Sequence, residues 1–274
     1  MQIRTLVTPL TAALLIPACF DTGASNLEMR DAVTEIVADG QAQSLEGEVT
    51  ELTTDFTIGG AVEDIAMKVR DLVESQIDCS TVMVTGDTVD IDLGGLNDGC
   101  EYNGHTFAGK ISLVFTYDAG GTKVLVDHTY TGLTNGEVTL DGTKKVEWDA
   151  QSRHVIHDLT WTKDGRSVHA TGDRTQTPLD AAQGFASGLV VDGERAWDTA
   201  KGTYDLAIDH VEARWVDPVP QAGSYTLTIP NGKTITMSFA RVDTDTIAVT
   251  VMGGRRDRVY HVTSKGAVED QGDV

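Results

Sequence analysis

The sequence predicts an α+β fold that is mainly β: a large, twisted antiparallel meander sheet, half-barrel or sandwich, with an N-terminal helical segment packed on it. Three observations point there. Apolar residues recur at helical spacing in two stretches before Cys79, the period changes to two after it, and Gly-containing turns separate the alternating runs. Parallel strands would need crossover helices between them, and none is visible.

The chain opens with Arg4, an apolar run from Leu6 to Ile16, and Pro17-Ala18 before Cys19, the layout of a secretory signal. The run is too short to span a bilayer. Ile16-Pro17-Ala18-Cys19 resembles the bacterial lipobox, with a branched apolar residue at minus three and a small one at minus one; Pro17 departs from the commoner Ala, Ser or Thr. The resemblance implies a diacylglyceryl thioether on Cys19, cleavage before it, and acylation of the new amino terminus. Such an anchor is sufficient for stable attachment, so the remaining chain needs no hydrophobic span. Phe20-Asp21 follow, with no Asp directly after Cys19, a pattern that in such lipoproteins implies passage to the outer membrane.

Residues 19–26 are small and polar and read as a tether. Leu27 to Ala38 places Leu27, Val33, Ile36 and Val37 at near-helical spacing, with Asn26 as a cap and Gly40 as a stop. Gln41 to Ile58 is polar and ambiguous. Ala61 to Ile77 is the clearest helix, with Val62, Ile65, Ala66, Val69, Val73 and Ile77 along one stripe. Residues 27–78 thus form the helical segment.

Residues 79–263 form the antiparallel β domain. Alternating strands are expected at Thr88 to Leu93, His105 to Tyr117, Lys123 to Tyr130, Glu137 to Leu140, Val146 to Trp148 and His154 to Thr162. Turns at Asp98-Gly99, Gly120-Gly121, Asn135-Gly136, Asp141-Gly142 and Asp164-Gly165 separate them, as hairpins require. Pro178 to Gln183 is a brief turn or linker. Strands resume at Ser187 to Val191, Thr203 to Trp215, Tyr225 to Ile229, Thr234 to Phe239, Thr246 to Val251 and Arg258 to Thr263. Residues 264–274 read as an acidic, flexible tail. Asp141-Gly142, leading to Trp148 and Trp161, is faintly echoed by Asp192-Gly193, leading to Trp197 and Trp215. From Val89 to Tyr117, Asp92-Leu93-Gly94, then Cys100, then Gly109-Lys110-Ile111 resembles a pattern of uncharacterised β-rich envelope lipoproteins. That resemblance carries no catalytic residue.

The net charge is −21, and removal of residues 1–18 with Arg4 makes it −22 over 256 residues. Such a surface repels phosphate backbones, which argues against a nucleic-acid partner and for a soluble, monomeric chain. With Cys19 lipidated, Cys79 and Cys100 are the remaining pair, and an exported pair is expected as a disulfide.

No catalytic site is expected. His154 and His157 lie three apart, on opposite faces of a strand, and His128, His169, His210 and His261 are isolated, so no metal site is expected either. Asp90-x-Asp92 and Asp243-x-Asp245 lack the Gly and Glu of a calcium loop. The Gly184-to-Gly188 segment around Ser187 precedes a strand where a nucleophile elbow needs a helix. No cofactor is implied. The expected role is a lipid-anchored envelope module, structural or interaction-making and not an enzyme, with an envelope protein as partner. The alternative is a carrier whose sheet curls around the Ala61 to Ile77 helix and binds a lipid or other apolar ligand; a hydrolase ranks third.

Overall fold

The computed structural model describes residues 23–53, 62–98, 100–102, 105–149 and 151–274, with the side chains of 63 and 186 excepted. Two helices precede the strands: α1, Asn26–Thr53, and α2, Val62–Gln76. The strands then run β1 Thr81–Thr85, β2 Thr88–Asp92, β3 Glu101–Tyr102, β4 His105–Thr106, β5 Ala108–Tyr117, β6 Val124–Thr134, β7 Val138–Trp148 and β8 Arg153–Lys163. The second half comprises β9 Arg166–Asp180, β10 Gly184–Thr199, β11 Gly202–Ala213, β12 Ala222–Thr228, β13 Thr234–Arg241, β14 Thr246–Met252, β15 Arg258–Thr263 and β16 Val268–Asp273.

Apart from the small β3–β4 ribbon, the described strands form one antiparallel sheet of 14 strands, each paired with its neighbour in sequence order. The sheet is not closed into a barrel. It curls around α1, whose side chains meet residues of β4, β6, β7, β8, β9 and β10 and the turn before β13. This corrects the expectation that the sheet wraps the Ala61 to Ile77 helix. That helix, α2, packs on β1, β2 and β5, with Ile65, Ala66, Val69 and Val73 buried as its spacing predicts.

Helix α1 starts from a capping box. Ser25 Oγ accepts from Glu28 N at 3.3 Å and Glu28 Oε2 accepts from Ser25 N at 2.6 Å, so Ser25, not Asn26, is the cap. Those bonds and Lys233 hold the Glu28 carboxyl down to about 2. Leu27 is 69% exposed and lies off the buried face. The helix also runs straight through Gly40. A Cβ there would fall 1.8 Å from the Pro218 carbonyl oxygen, and one at Gly47 would fall 2.0 Å from the Trp215 indole. Both glycines serve close approach: residues 214–221, between β11 and β12, cross α1 as a strap with Asp217 to Pro220 buried. Gly40→Ala is therefore expected to destabilise by roughly 1–3 kcal/mol, whereas Gly→Ala in an exposed helix stabilises by up to ~1 kcal/mol. Chemical unfolding midpoints would measure it.

Of the expected turns, Asp164-Gly165 has both residues at positive φ, 51° and 73°. Asp141-Gly142 is no turn. It lies inside β7, joining the two expected strands at Glu137 to Leu140 and Val146 to Trp148 into one. The pairing passes from Tyr130↔Gly142 to Leu133↔Leu140, a bulge on β6, and Asp141 Oδ1 accepts from Gly132 N at 2.8 Å. Asp192-Gly193 does the same inside β10: pairing passes from Val191↔Val211 to Gly193↔Ile208, and Asp192 Oδ1 accepts from His210 N at 2.7 Å. The bulged residues Gly132 and His210 take φ of 57° and 46°. The echo thus marks one backbone device used twice, an aspartate tying down a bulge that coils the sheet.

Strands β1, β3 and β9 have no counterpart in the sequence-based expectation. The last expected tail, 264–274, is also not free: β16 pairs with β15 from Val262↔Val268 to Arg258↔Asp273. The end of the expected tether is docked, since Ala24 is buried and its N donates to Gly253 O at 2.9 Å. Cys79 and Cys100 form the expected disulfide, tying the turn after α2 to the residue that precedes β3.

Candidate functional site

The main concentration of buried chemistry lies where α1 meets the concave face of the sheet. Along the helix, Glu28, Asp31, Glu35, Asp39, Glu46, Thr50 and Thr53 recur at steps of three, four or seven, which puts them on one face. The strands answer with inward-facing cations at alternate positions, Lys144 on β7, Arg153 on β8, Arg174 on β9 and Arg195 on β10, all buried. Burying a charge is costly unless it is paired, and here each cation lies against a carboxylate of the helix, Lys144 and Arg174 sharing one.

Glu46 sits at the middle. Its Oε1 lies 2.8 Å from Lys144 Nζ and its Oε2 3.4 Å from Arg174 Nη2. Those two cations outweigh desolvation and hold its carboxyl well below the usual carboxylate range. Lys144 also donates to Thr50 Oγ1, and burial lowers its pKa to about 8. Arg195 Nη1 meets Asp39 at 2.6 Å. Burial pushes the Asp39 carboxyl up, and the Arg195 and Arg174 charges oppose it.

Arg153 is 1% exposed and boxed by aromatic rings, its guanidinium carbon 4.4 Å from the Phe185 centroid, 5.1 Å from Trp148 and 5.5 Å from Trp215. Its Nη1 donates to Glu51 at 2.6 Å and its Nε to Gln176 Oε1 at 2.5 Å. Arg166 closes the seam at one end, donating from both Nη atoms to Glu35. Lys201–Asp31 and Lys233–Glu28 continue the row toward the helix start.

The two buried histidines are neutral. His157 Nδ1 accepts from Arg174 Nη2 at 2.9 Å, which a protonated ring could not do, so its 3.9 Å approach to Glu46 is no ion pair. Burial and the Arg174 charge lower its pKa to about 3. Gly172 leaves room for that ring, because a Cβ there would come within 2.8 Å of it. His128 donates from Nδ1 to Val126 O at 3.3 Å and turns Nε2 to Thr53 Oγ1 at 3.3 Å, with its pKa also lowered to about 3 by burial.

The other residues singled out in the sequence are separate from this seam. His154 points to the outer face, opposite His157 as its spacing predicts, and meets Asp173 at 2.6 Å. His169 lies there too, 2.8 Å from Asp158. Asp90 and Asp92 accept from Ser112 and Lys110 on the adjacent strand, and Asp243 caps its own turn. Among the described residues no group of three or more His, Cys, Asp or Glu is placed to hold a metal ion. Ser187 Oγ accepts from Asp180 N and donates to Gly184 O within a hairpin. Trp148, Trp161 and Trp197 are buried, while Trp215 belongs to the strap. Cys19 lies outside the described residues. No described helix is long and apolar enough to cross a membrane.

The arrangement is an internal lattice of ion pairs rather than an open cleft. A cavity of about 70 Å³ remains between α1, β9, β10 and the strap. On the outer face a shallow groove of about 560 Å³ runs over β8 to β12, edged by Asp158, Asp173, Glu194 and Asp205. No family model matches the chain, nor does any curated protein or solved structure.

Proposed function

We propose that this protein is a lipid-anchored module of the bacterial envelope, moored at the outer membrane through Cys19, with a non-catalytic structural or interaction-making role. One observation carries the non-catalytic part. The concave side of the sheet, where a substrate or apolar ligand would lie, is filled by α1, and the ionisable groups there are committed to one another. A carrier of drug-sized or lipid ligands needs roughly 300 Å³ or more, and the cavity at this seam offers about 70 Å³. The surface left for a partner is therefore the outer face of the sheet and its edges.

The anchor rests on the lipobox resemblance of Ile16 to Cys19. Cys19→Ala is expected to move the protein from the membrane fraction to the soluble fraction of its native host. Intact-mass analysis of the wild-type chain should show a diacylglyceryl adduct on the mature amino end. A bare thiol, or a variant retained in the membrane, would overturn the assignment.

A further inference from the structure

We propose that the cavity beneath the strap holds one small monovalent anion of halide size, bound between Arg174 and Arg195. The charge balance of the seam points to it. Arg195 is matched by Asp39, Arg153 by Glu51, and Asp217 at the cavity wall by Arg241. Lys144 and Arg174 are left sharing one carboxylate, Glu46. With His157 held neutral by the bond it accepts from Arg174, one buried positive charge has no counter-charge. Arg214, exposed at the rim, adds to the excess. An unmatched buried cation is costly, and an anion in the adjoining cavity removes the cost.

The donors fit the same ion. Arg174 and Arg195 both line the cavity, are 5% and 6% exposed, and each has an Nε–H without a hydrogen-bond partner. Each Nη atom of the two already has a partner: those of Arg174 meet Gln43, Glu46 and His157, those of Arg195 meet Asp39 and Tyr225. A carboxylate is gripped best by two parallel donors of one guanidinium fork. Single donors from two arginines suit a sphere. A volume of about 70 Å³ admits such an ion with a water beside it, since a water's share of the liquid is roughly 30 Å³. The inference stands apart from the lipid anchor.

Two measurements on the purified full chain test it. In crystals grown in bromide, an anomalous peak is expected in the cavity against Arg174 and Arg195. In solution, replacing gluconate by chloride at constant ionic strength should raise Tm saturably, by on the order of 5 °C. Lys144→Met removes the surplus charge, so the variant should lose that chloride dependence. Should this variant not fold, the bromide peak and the wild-type titration decide. An empty cavity in bromide would overturn the proposal, as would a chloride response that survives in Lys144→Met. Stabilisation by formate but not by halide would overturn the halide assignment.

Discussion

Replacing Glu46 by Met is expected to destabilise the protein by about 3–5 kcal/mol, because it leaves Lys144 and Arg174 buried without a counter-charge. The side chains of all three are at most 6% exposed, so solvent cannot screen the loss. The triple variant Glu46→Met, Lys144→Met, Arg174→Met should recover most of that stability. Removing a whole buried ion cluster is far cheaper than removing one member, since no charge is stranded. Urea unfolding of the single and triple variants gives both numbers. A single variant within about 0.5 kcal/mol of wild type, the usual range for surface changes, would mean the seam is solvated.

Stability is also expected to fall as pH drops below about 6.5, well before ordinary carboxylates titrate. His128 and His157 are held at about 3 in the fold, against an ordinary 6.5. Between those values the unfolded chain binds two protons that the folded chain does not. Stability is thus fully present above 6.5 and is lost as pH falls toward 3. At pH 5 the loss is about 2 kcal/mol for each histidine. Glu46, depressed in the fold, adds to the loss below 4.5, and Asp39, raised by burial, offsets part of it. Asparagine can keep the Nδ1 bonds of both rings, donating to Val126 O at 128 and accepting from Arg174 at 157. The double variant His128→Asn, His157→Asn should therefore lose the drop between pH 7 and 5. Thermal melts across that range would show it, and an unchanged slope would count against buried neutral histidines.

Much of the fold is legible in the sequence wherever the interior is apolar. The stripe of α2, the hairpin at Asp164-Gly165, the opposite faces of His154 and His157 and the Cys79–Cys100 bond all follow from spacing and composition. The candidate seam was harder to read. Strand β9 carries Gly172, Arg174 and Gln176 at inward positions, so its alternation is not one of apolar and polar residues. Helix α1 is buried on most of its circumference, and acids that face the core stand among the apolar residues, so the thin stripe of its second half, Ala42, Leu45, Val49 and Leu52, is hard to tell from a polar stretch. A signal was present: acids at helical steps from Glu28 to Glu46, with basic residues at alternating positions on later strands.

Residue order alone sets the local geometry: strands of period two, an antiparallel order set by short turns, and a helix with one oily side. Long-range packing settles the rest: which helix the sheet encloses, that Gly40 and Gly47 are contacts and not stops, and that Asp141 and Asp192 tie down bulges. Inside and outside are defined by what lies opposite. Arg174 faces the core because Glu46, 128 residues earlier in the chain, is waiting there. No local period can encode that pairing.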